Sequence, residues 1–207
     1  MITKVTNFKR KDLFNMYNAR TNPFLSIVIK VDVTNIVKYC KINKNFYATM
    51  GYIINKAVNK VDEFKYSYKE GEFYYCDTLK TSFTQMKSDE TISFFSIDFN
   101  DDYKKYIENY KEAYKLFLEN KFLNTNIDSM DIWLSCSPWY KFESLTVPFD
   151  KKITNPQFIW DKYEKENDKY YVNMFIMVHH GFVDGYHISK FINELNKNIE
   201  EFKCGDN

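Results

Sequence analysis

Arginine, histidine, proline, cysteine and glycine are all scarce in this 207-residue chain, with two, three, four, four and five copies respectively. So little Pro and Gly argues against a disordered, fibrous or linker-rich protein. Cys40, Cys76, Cys136 and Cys204 stand far apart with no CxxC spacing. That excludes a zinc ribbon, and a disulfide framework does not suit a chain of this length. Free or buried thiols in a reducing cytoplasm are expected, with Cys136 buried. No run of about 18 apolar residues occurs, so no membrane span is expected. The opening MITKVTNFKRKDLF has no apolar core of a secretory signal. Charge of one sign is also lacking: the formal net charge is +1, which gives no field suited to nucleic acid. No HExxH or Cys/His cluster is present, so no metal is expected. There is no glycine-rich phosphate loop, internal repeat or low-complexity tract, and residues 1–207 read as one domain.

What the chain does hold is aromatic and apolar material: 19 Phe, 17 Tyr and 44% hydrophobic residues. Periodicity divides it into elements. Residues 9–19 predict a helix with Leu13, Phe14 and Tyr17 on one side. LSIVIKVDVT (25–34) is β-branched and alternating, hence a strand. In 46–64, Met50, Ile53, Ile54, Ala57, Val58 and Val61 recur at helical spacing. Residues 64–77 form two extended runs about Gly71, a hairpin. Strands are expected at 82–86, 91–98, 132–139 and 170–178, with an extended piece at 144–149. Helices are expected at 101–122, opened by capping Asp residues, and at 186–202, with an apolar stripe from Ile188 to Phe202. The sum is an α/β fold: a mixed β-sheet with helices packed on it.

Two of the three histidines sit together in HHGFVDG (179–185), after the apolar run YYVNMFIMV. Neighbouring side chains at a strand end point to opposite faces, so His179 and His180 are expected to do different work, one structural and one facing a cavity. A neutral imidazole can take a proton from a hydroxyl near neutral pH, because its reference pKa of about 6.5 lies close by. Both a general base and a buried structural histidine fit the spacing. Asp184 can cap the final helix or support the histidine site. His187 reads as a solvated or partly packed surface residue. Arg10 and Arg20 stand out in a lysine-rich chain, since Arg is suited to a fixed fork of hydrogen bonds; Arg20 also reads as an ordinary surface residue.

HHGFVDGYHISKFINEL resembles the HHxxxDG signature and following helix of the chloramphenicol acetyltransferase family. FNMYNARTNPFLSIVIKVDVT, YATMGYIINKAVNKVDEFKYS, SFTQMKSDETISFFS, SCSPWYKFESL and DKYEKENDKYYVNMFIMVHH resemble further segments of that family, in the same order, from about residue 8 to 202. The resemblance implies a two-layer α/β sandwich assembled as a homotrimer, with active sites at subunit interfaces. It implies direct transfer from acetyl-CoA, the co-substrate, to the hydroxyl of a small molecule, chloramphenicol first among them. His180 would be the general base, with its tautomer held by its own backbone carbonyl, and His179 would be structural. Ser135 would donate its hydroxyl to the oxyanion. Arg10 would pair with Asp184 to fix the turn after His180. Lys162 and Tyr163 would lie near coenzyme A, and Tyr17 in the acceptor pocket.

The acceptor side departs from the family pattern. Ile159 stands where the family has a threonine that helps hold a water, Pro23 where Cys is common, and Met177 where a Gln precedes the histidines. Leu25, Val147 and Trp133 differ in size or shape from the usual pocket residues. Other readings follow: a relative acting on a different hydroxylated small molecule, a dihydrolipoyl-type acyltransferase, and a non-catalytic acetyltransferase-like binding protein.

Overall fold

The computed structural model describes residues 1–43, 45–119 and 130–202. Its elements run in chain order as β1 (Ile2–Val5), α1 (Lys11–Asn18), β2 (Phe24–Asp32), α2 (Thr34–Asn43), α3 (Phe46–Val58), a 3₁₀ turn (Asp62–Lys65), β3 (Tyr66–Lys69), β4 (Glu72–Cys76), β5 (Lys80–Met86), β6 (Ile92–Ile97), α4 (Tyr103–Leu118), β7 (Asp131–Ser137), β8 (Gln157–Asp161), β9 (Glu164–Glu166), β10 (Lys169–His179) and α5 (Gly185–Glu201). Cys204 and residues 120–122 of the helix expected at 101–122 lie outside the described residues.

The main sheet has the order β2-β10-β8-β7-β5-β6, with β9 paired to β10. β7 runs parallel to both β5 and β8, while β10 is antiparallel to β2 and β8 and β6 is antiparallel to β5. The mixed sheet with helices against it agrees with the expected class. β10 lies deep in this sheet and is buried along most of its length, which accounts for its nearly continuous apolar run. Met174, Ile176 and Val178 of β10 join Phe158, Leu134, Phe83 and helix residues such as Ile54 and Phe191 in the main core. A smaller cluster of Phe142, Phe175 and Met177, edged by Phe24, Val28, Leu145, Val147 and Ile159, forms on the opposite face of β10 and β8. Alternation puts Met86, Ile92 and Phe94 on that same face further along the sheet, where all three stay exposed.

A second sheet, β1-β4-β3, carries the expected hairpin. Its two-residue turn, Glu70–Gly71, has φ of 52° and 86°, the doubly left-handed turn that suits a tight hairpin. As expected, Asp102 caps α4, accepting from the Lys105 N–H at 3.0 Å. One expectation fails, and four elements were missed. β1, α2, β8 and β9 were not foreseen. The piece 144–149 is irregular rather than a strand; Leu145 and Val147 nonetheless pack against the smaller cluster. No described helix is long and apolar enough to cross a membrane.

Candidate active site

The chain leaves β10 at His179, and the two histidines do part company. His179 is 1% exposed. Its ring stacks on Phe14 at 4.7 Å, with Phe24 and Phe182 also against it. Nδ1 accepts the Gly181 N–H at 3.1 Å, so the proton of the neutral ring sits on Nε2, which has no described partner. Burial, with a smaller push from His180, pulls its pKa down to about 4. His180 is half-buried. Its N–H donates to the Pro23 carbonyl at 2.9 Å, extending the pairing with the β2 side by one residue. Tyr17 of α1 lies flat against the ring, centroids 4.0 Å apart and planes within 16°. Nδ1 of His180 is buried without a hydrogen bond, and Nε2 is the nitrogen left open. The expected bond from Nδ1 to the residue's own carbonyl is not formed; contact with Tyr17 orients the ring instead.

The turn after His180 is tied down at several points. Phe182 and Val183 both donate N–H to the His179 carbonyl, at 3.0 and 3.1 Å. Asp184 is the N-cap of α5: its Oδ1 accepts from the N–H groups of Tyr186 and His187 at 3.0 and 3.4 Å. Its Oδ2 takes both terminal nitrogens of Arg10, each at 3.1 Å, while Arg10 Nε reaches the Gly181 carbonyl at 3.5 Å. The two alternatives for Asp184 therefore coexist, one oxygen each, so the guanidinium grips a single oxygen rather than forming two parallel bonds. Burial pushes the Asp184 carboxyl up; the Arg10 hydrogen bonds, together with His187 and the helix N–H, outweigh it and hold it below the usual range. His187 corrects its surface assignment. It is 6% exposed, and its Nδ1 accepts the Asp184 N–H at 3.2 Å, closing a capping box. Arg20 is likewise not idle: its guanidinium lies 5.4 Å from the centroid of the Tyr17 ring.

A second group of expected residues sits elsewhere on the sheet. Ser135 of β7 pairs with Ile159 of β8, and Ile159 with Phe175 of β10. Ile159 joins the small apolar cluster with Met177 and Val147, whereas Leu25 packs on the helix side. Lys162 and Tyr163 follow β8, with Tyr163 against Phe46 and Tyr170 and still 40% exposed. The exposed aromatics Trp139 and Tyr140 stand close by, since the Tyr140 carbonyl accepts the Lys162 N–H at 3.3 Å. Asp161, 1% exposed, anchors this corner: it accepts from Lys141 Nζ, the Phe142 N–H, the Asn173 N–H and Asn173 Nδ2 at 2.8 to 3.2 Å. Cys136 is partly rather than fully buried; burial and the nearby Asp161 push its thiol up to about 12, an unreactive state at neutral pH.

Within one chain these groups do not meet. Ser135 is two strand spacings from β10, and His180 lies five residues beyond Phe175. At about 4.8 Å per strand and about 3.3 Å per residue, their Cα atoms are on the order of 19 Å apart. Sequence reasoning missed His187 and Asp161. The D-x-x-H spacing at the start of α5 is a capping-box pattern with His in place of Glu, and that signal was available. Nothing local marks Asp161, because its donors come from β10 and the loop after β7. Among the described residues no group of three or more His, Cys, Asp or Glu is placed to hold a metal.

Residues 2–196 match the family described as chloramphenicol acetyltransferase. A chloramphenicol acetyltransferase of Escherichia coli is 27% identical, over 97% of this chain and 94% of that protein. Among solved structures, a chloramphenicol acetyltransferase superposes with a TM-score of 0.83 at 22% identity, covering 96% of this chain and all of the other. A probable dihydrolipoamide acetyltransferase from Listeria monocytogenes superposes at 0.72 with 12% identity, covering 99% and 97%; at these identities both show the fold alone. With its whole length from β1 into α5 matched, the chain belongs to the chloramphenicol acetyltransferase family, a family of acyltransferases.

Proposed function

We propose that this protein is an acetyl-CoA-dependent O-acetyltransferase that acetylates a hydroxyl of chloramphenicol by direct transfer, with both substrates bound together. The observation that carries the reading is the position of His180: a strand-end imidazole, stacked on Tyr17, with Nε2 open and the following turn pinned by Arg10 and Asp184. His180 Nε2 removes the acceptor's hydroxyl proton as that oxygen attacks the thioester carbonyl. Ser135 donates its hydroxyl to the oxyanion, a contribution of about 2.7–4 kcal/mol where one such donor is well aimed. As the carbonyl re-forms, His180 returns the proton to the departing thiolate, giving the acetyl ester and free coenzyme A.

The separation of roughly 19 Å within a chain means that His180 of one copy must work with Ser135 of another. A homotrimer with three such interfaces meets this need, and the exposed Met86, Ile92 and Phe94 give the uncovered sheet face an apolar surface for a second copy. Tyr163 and Trp139 offer aromatic faces to the adenine, and Lys162 an ammonium to a phosphate of coenzyme A. The apolar surround of Ile159, Met177 and Val147 suits an acceptor held by packing.

The test is thiol release from acetyl-CoA with chloramphenicol and a panel of other alcohols. Turnover with chloramphenicol is expected, abolished in His180→Ala and lowered about 10²- to 10³-fold in kcat in Ser135→Ala. Turnover only with dihydrolipoamide, read as free coenzyme A by chromatography because transfer to a thiol leaves the thiol count unchanged, would overturn the acceptor. Coenzyme A binding without any thiol release would overturn the activity.

A further inference from the structure

The catalytic turn has a support that neither Arg10 nor Asp184 explains. His187 is buried at the start of α5, and both of its nitrogens are engaged. Nδ1 accepts the Asp184 backbone N–H at 3.2 Å. An acceptor Nδ1 places the proton of the neutral ring on Nε2, and Nε2 lies 3.3 Å from Oε1 of Glu63 in the 3₁₀ turn before β3. The two side chains are 8% and 27% exposed. The charged groups around the imidazole are Glu63, Asp184, Arg10 and Lys190, with the Tyr186 ring at its edge. Burial disfavours the protonated ring most, against the pull of Glu63 and Asp184, and the net effect is a lowered pKa. Asp184 Oδ1 lies 3.0 Å from Nδ1, so a carboxylate stands at each nitrogen; the tautomer with its proton on Nε2 donates to Glu63 and leaves Nδ1 free to accept the Asp184 N–H.

We propose that Glu63 is a positioning residue for the reaction: acting through His187, it fixes the turn from His180 to Asp184 and so the setting of the His180 ring. The inference rests on the reading of His180 as the base. The line of contacts is continuous. Glu63 selects the tautomer, Nδ1 holds the Asp184 N–H, the Asp184 carboxylate holds Arg10, and Arg10 reaches back to the Gly181 carbonyl, next to His180. Without Glu63 the imidazole can carry its proton on Nδ1, which then donates to Asp184 Oδ1 at 3.0 Å and no longer accepts the Asp184 N–H. The turn then loses one of its ties on the side nearest the base.

Two isosteric changes separate the halves of this device. His187→Asn keeps an acceptor where Nδ1 was and loses the link to Glu63. His187→Gln keeps a donor where Nε2 was and loses the acceptor. The measurements are steady-state kinetics of thiol release with acetyl-CoA and chloramphenicol, and ¹H–¹⁵N spectra of the histidine rings, with melting and assembly size checked for each variant. Glu63→Ala and His187→Gln are each expected to lower kcat by about tenfold to a hundredfold, the scale of a misplaced reacting group, with KM little changed, whereas His187→Asn, which keeps the acceptor for the Asp184 N–H, should retain most of kcat. The His180 ring resonances should move in the first two. Glu63→Gln, whose amide oxygen still accepts from Nε2, should recover most of kcat. Glu63→Ala combined with His187→Asn should be no slower than the slower single variant. Wild-type kcat in His187→Gln, additive losses in the double variant, or unmoved His180 resonances in Glu63→Ala would each overturn the proposal. If the unmodified protein released no thiol with any alcohol, the acetyl-transfer reading would fail by itself, and the ring spectra would still decide whether Glu63 sets His180.

Discussion

Lowering the pH should weaken this fold through one ring, and the size of the effect follows from where that ring sits. His179 is enclosed by Phe14, Phe24 and Phe182, and its pKa falls to about 4 in the folded chain against about 6.5 when unfolded. The unfolded chain therefore binds the extra proton first as pH drops. The stabilisation is fully present above pH about 6.5 and is lost progressively down to about 4. Between pH 7.5 and 5 the loss is about 2 kcal/mol, from about 1.4 kcal/mol per pKa unit. His179→Phe keeps a ring in the aromatic cage and removes the titration. It also loses the acceptor for the Gly181 N–H, at a cost of about 1–3 kcal/mol that does not depend on pH. The assay is urea unfolding of both proteins at several pH values. The difference in stability between them should shrink by about 2 kcal/mol from pH 7.5 to 5, while other groups cancel. Parallel stability curves for the two proteins would refute the assignment of a buried neutral His179.

Two substitutions near the turn follow from the same geometry. Arg10→Ala leaves Oδ2 of Asp184 and the Gly181 carbonyl without their donors; it should cost about 1–2 kcal/mol, read as a lower melting temperature, and lower kcat in parallel. Unchanged melting with unchanged kcat would remove the architectural role. Gly181→Ala should cost about 1–3 kcal/mol by overpacking, because its Cβ would stand 2.7 Å from Phe14 Cδ2 and 2.8 Å from Phe14 Cα. A stability equal to the unsubstituted protein would contradict the close approach of α1 to the turn.

The long periodic pieces of the fold were legible in the sequence, as was the short hairpin about Gly71; α2 and the short strands β1, β8 and β9 were not. α3, α4, α5 and β10 bury regular apolar faces, so their residues repeat at the helical or extended period. α2 (Thr34–Asn43) buries only Ile36, Val37 and Cys40 among interleaved polar residues, which leaves little pattern to read. β8 is five residues long, QFIWD, too short for its period to separate strand from loop. β1 is exposed and takes its pairing from β4, far along the chain; β9 is three exposed residues, EKE, folded back onto the start of β10, with no apolar pattern to read. The site divides in the same way. Arg10, Tyr17 and Asp184 converge on the turn at His180; the pairing of Arg10 with Asp184 was expected, the stacking of Tyr17 on the His180 ring was not. The grip of Arg10 on a single carboxylate oxygen was not foreseeable, because it depends on the other oxygen being taken by the cap. His187 was read as a surface residue because helix N-termini are usually exposed; here the 3₁₀ turn carrying Glu63 covers it.

The central claim is that one chain supplies the base and a neighbour supplies the oxyanion donor. Complementation between His180→Ala and Ser135→Ala tests it most directly. The two inactive variants are co-unfolded in equal amounts, refolded together, and assayed for thiol release with acetyl-CoA and chloramphenicol. An interface with His180 from one variant and Ser135 from the other is intact, and random closed assembly makes about a quarter of all interfaces so. The mixture should therefore recover about a quarter of the unsubstituted activity. Recovery no greater than that of the two variants refolded separately would contradict a site shared between chains.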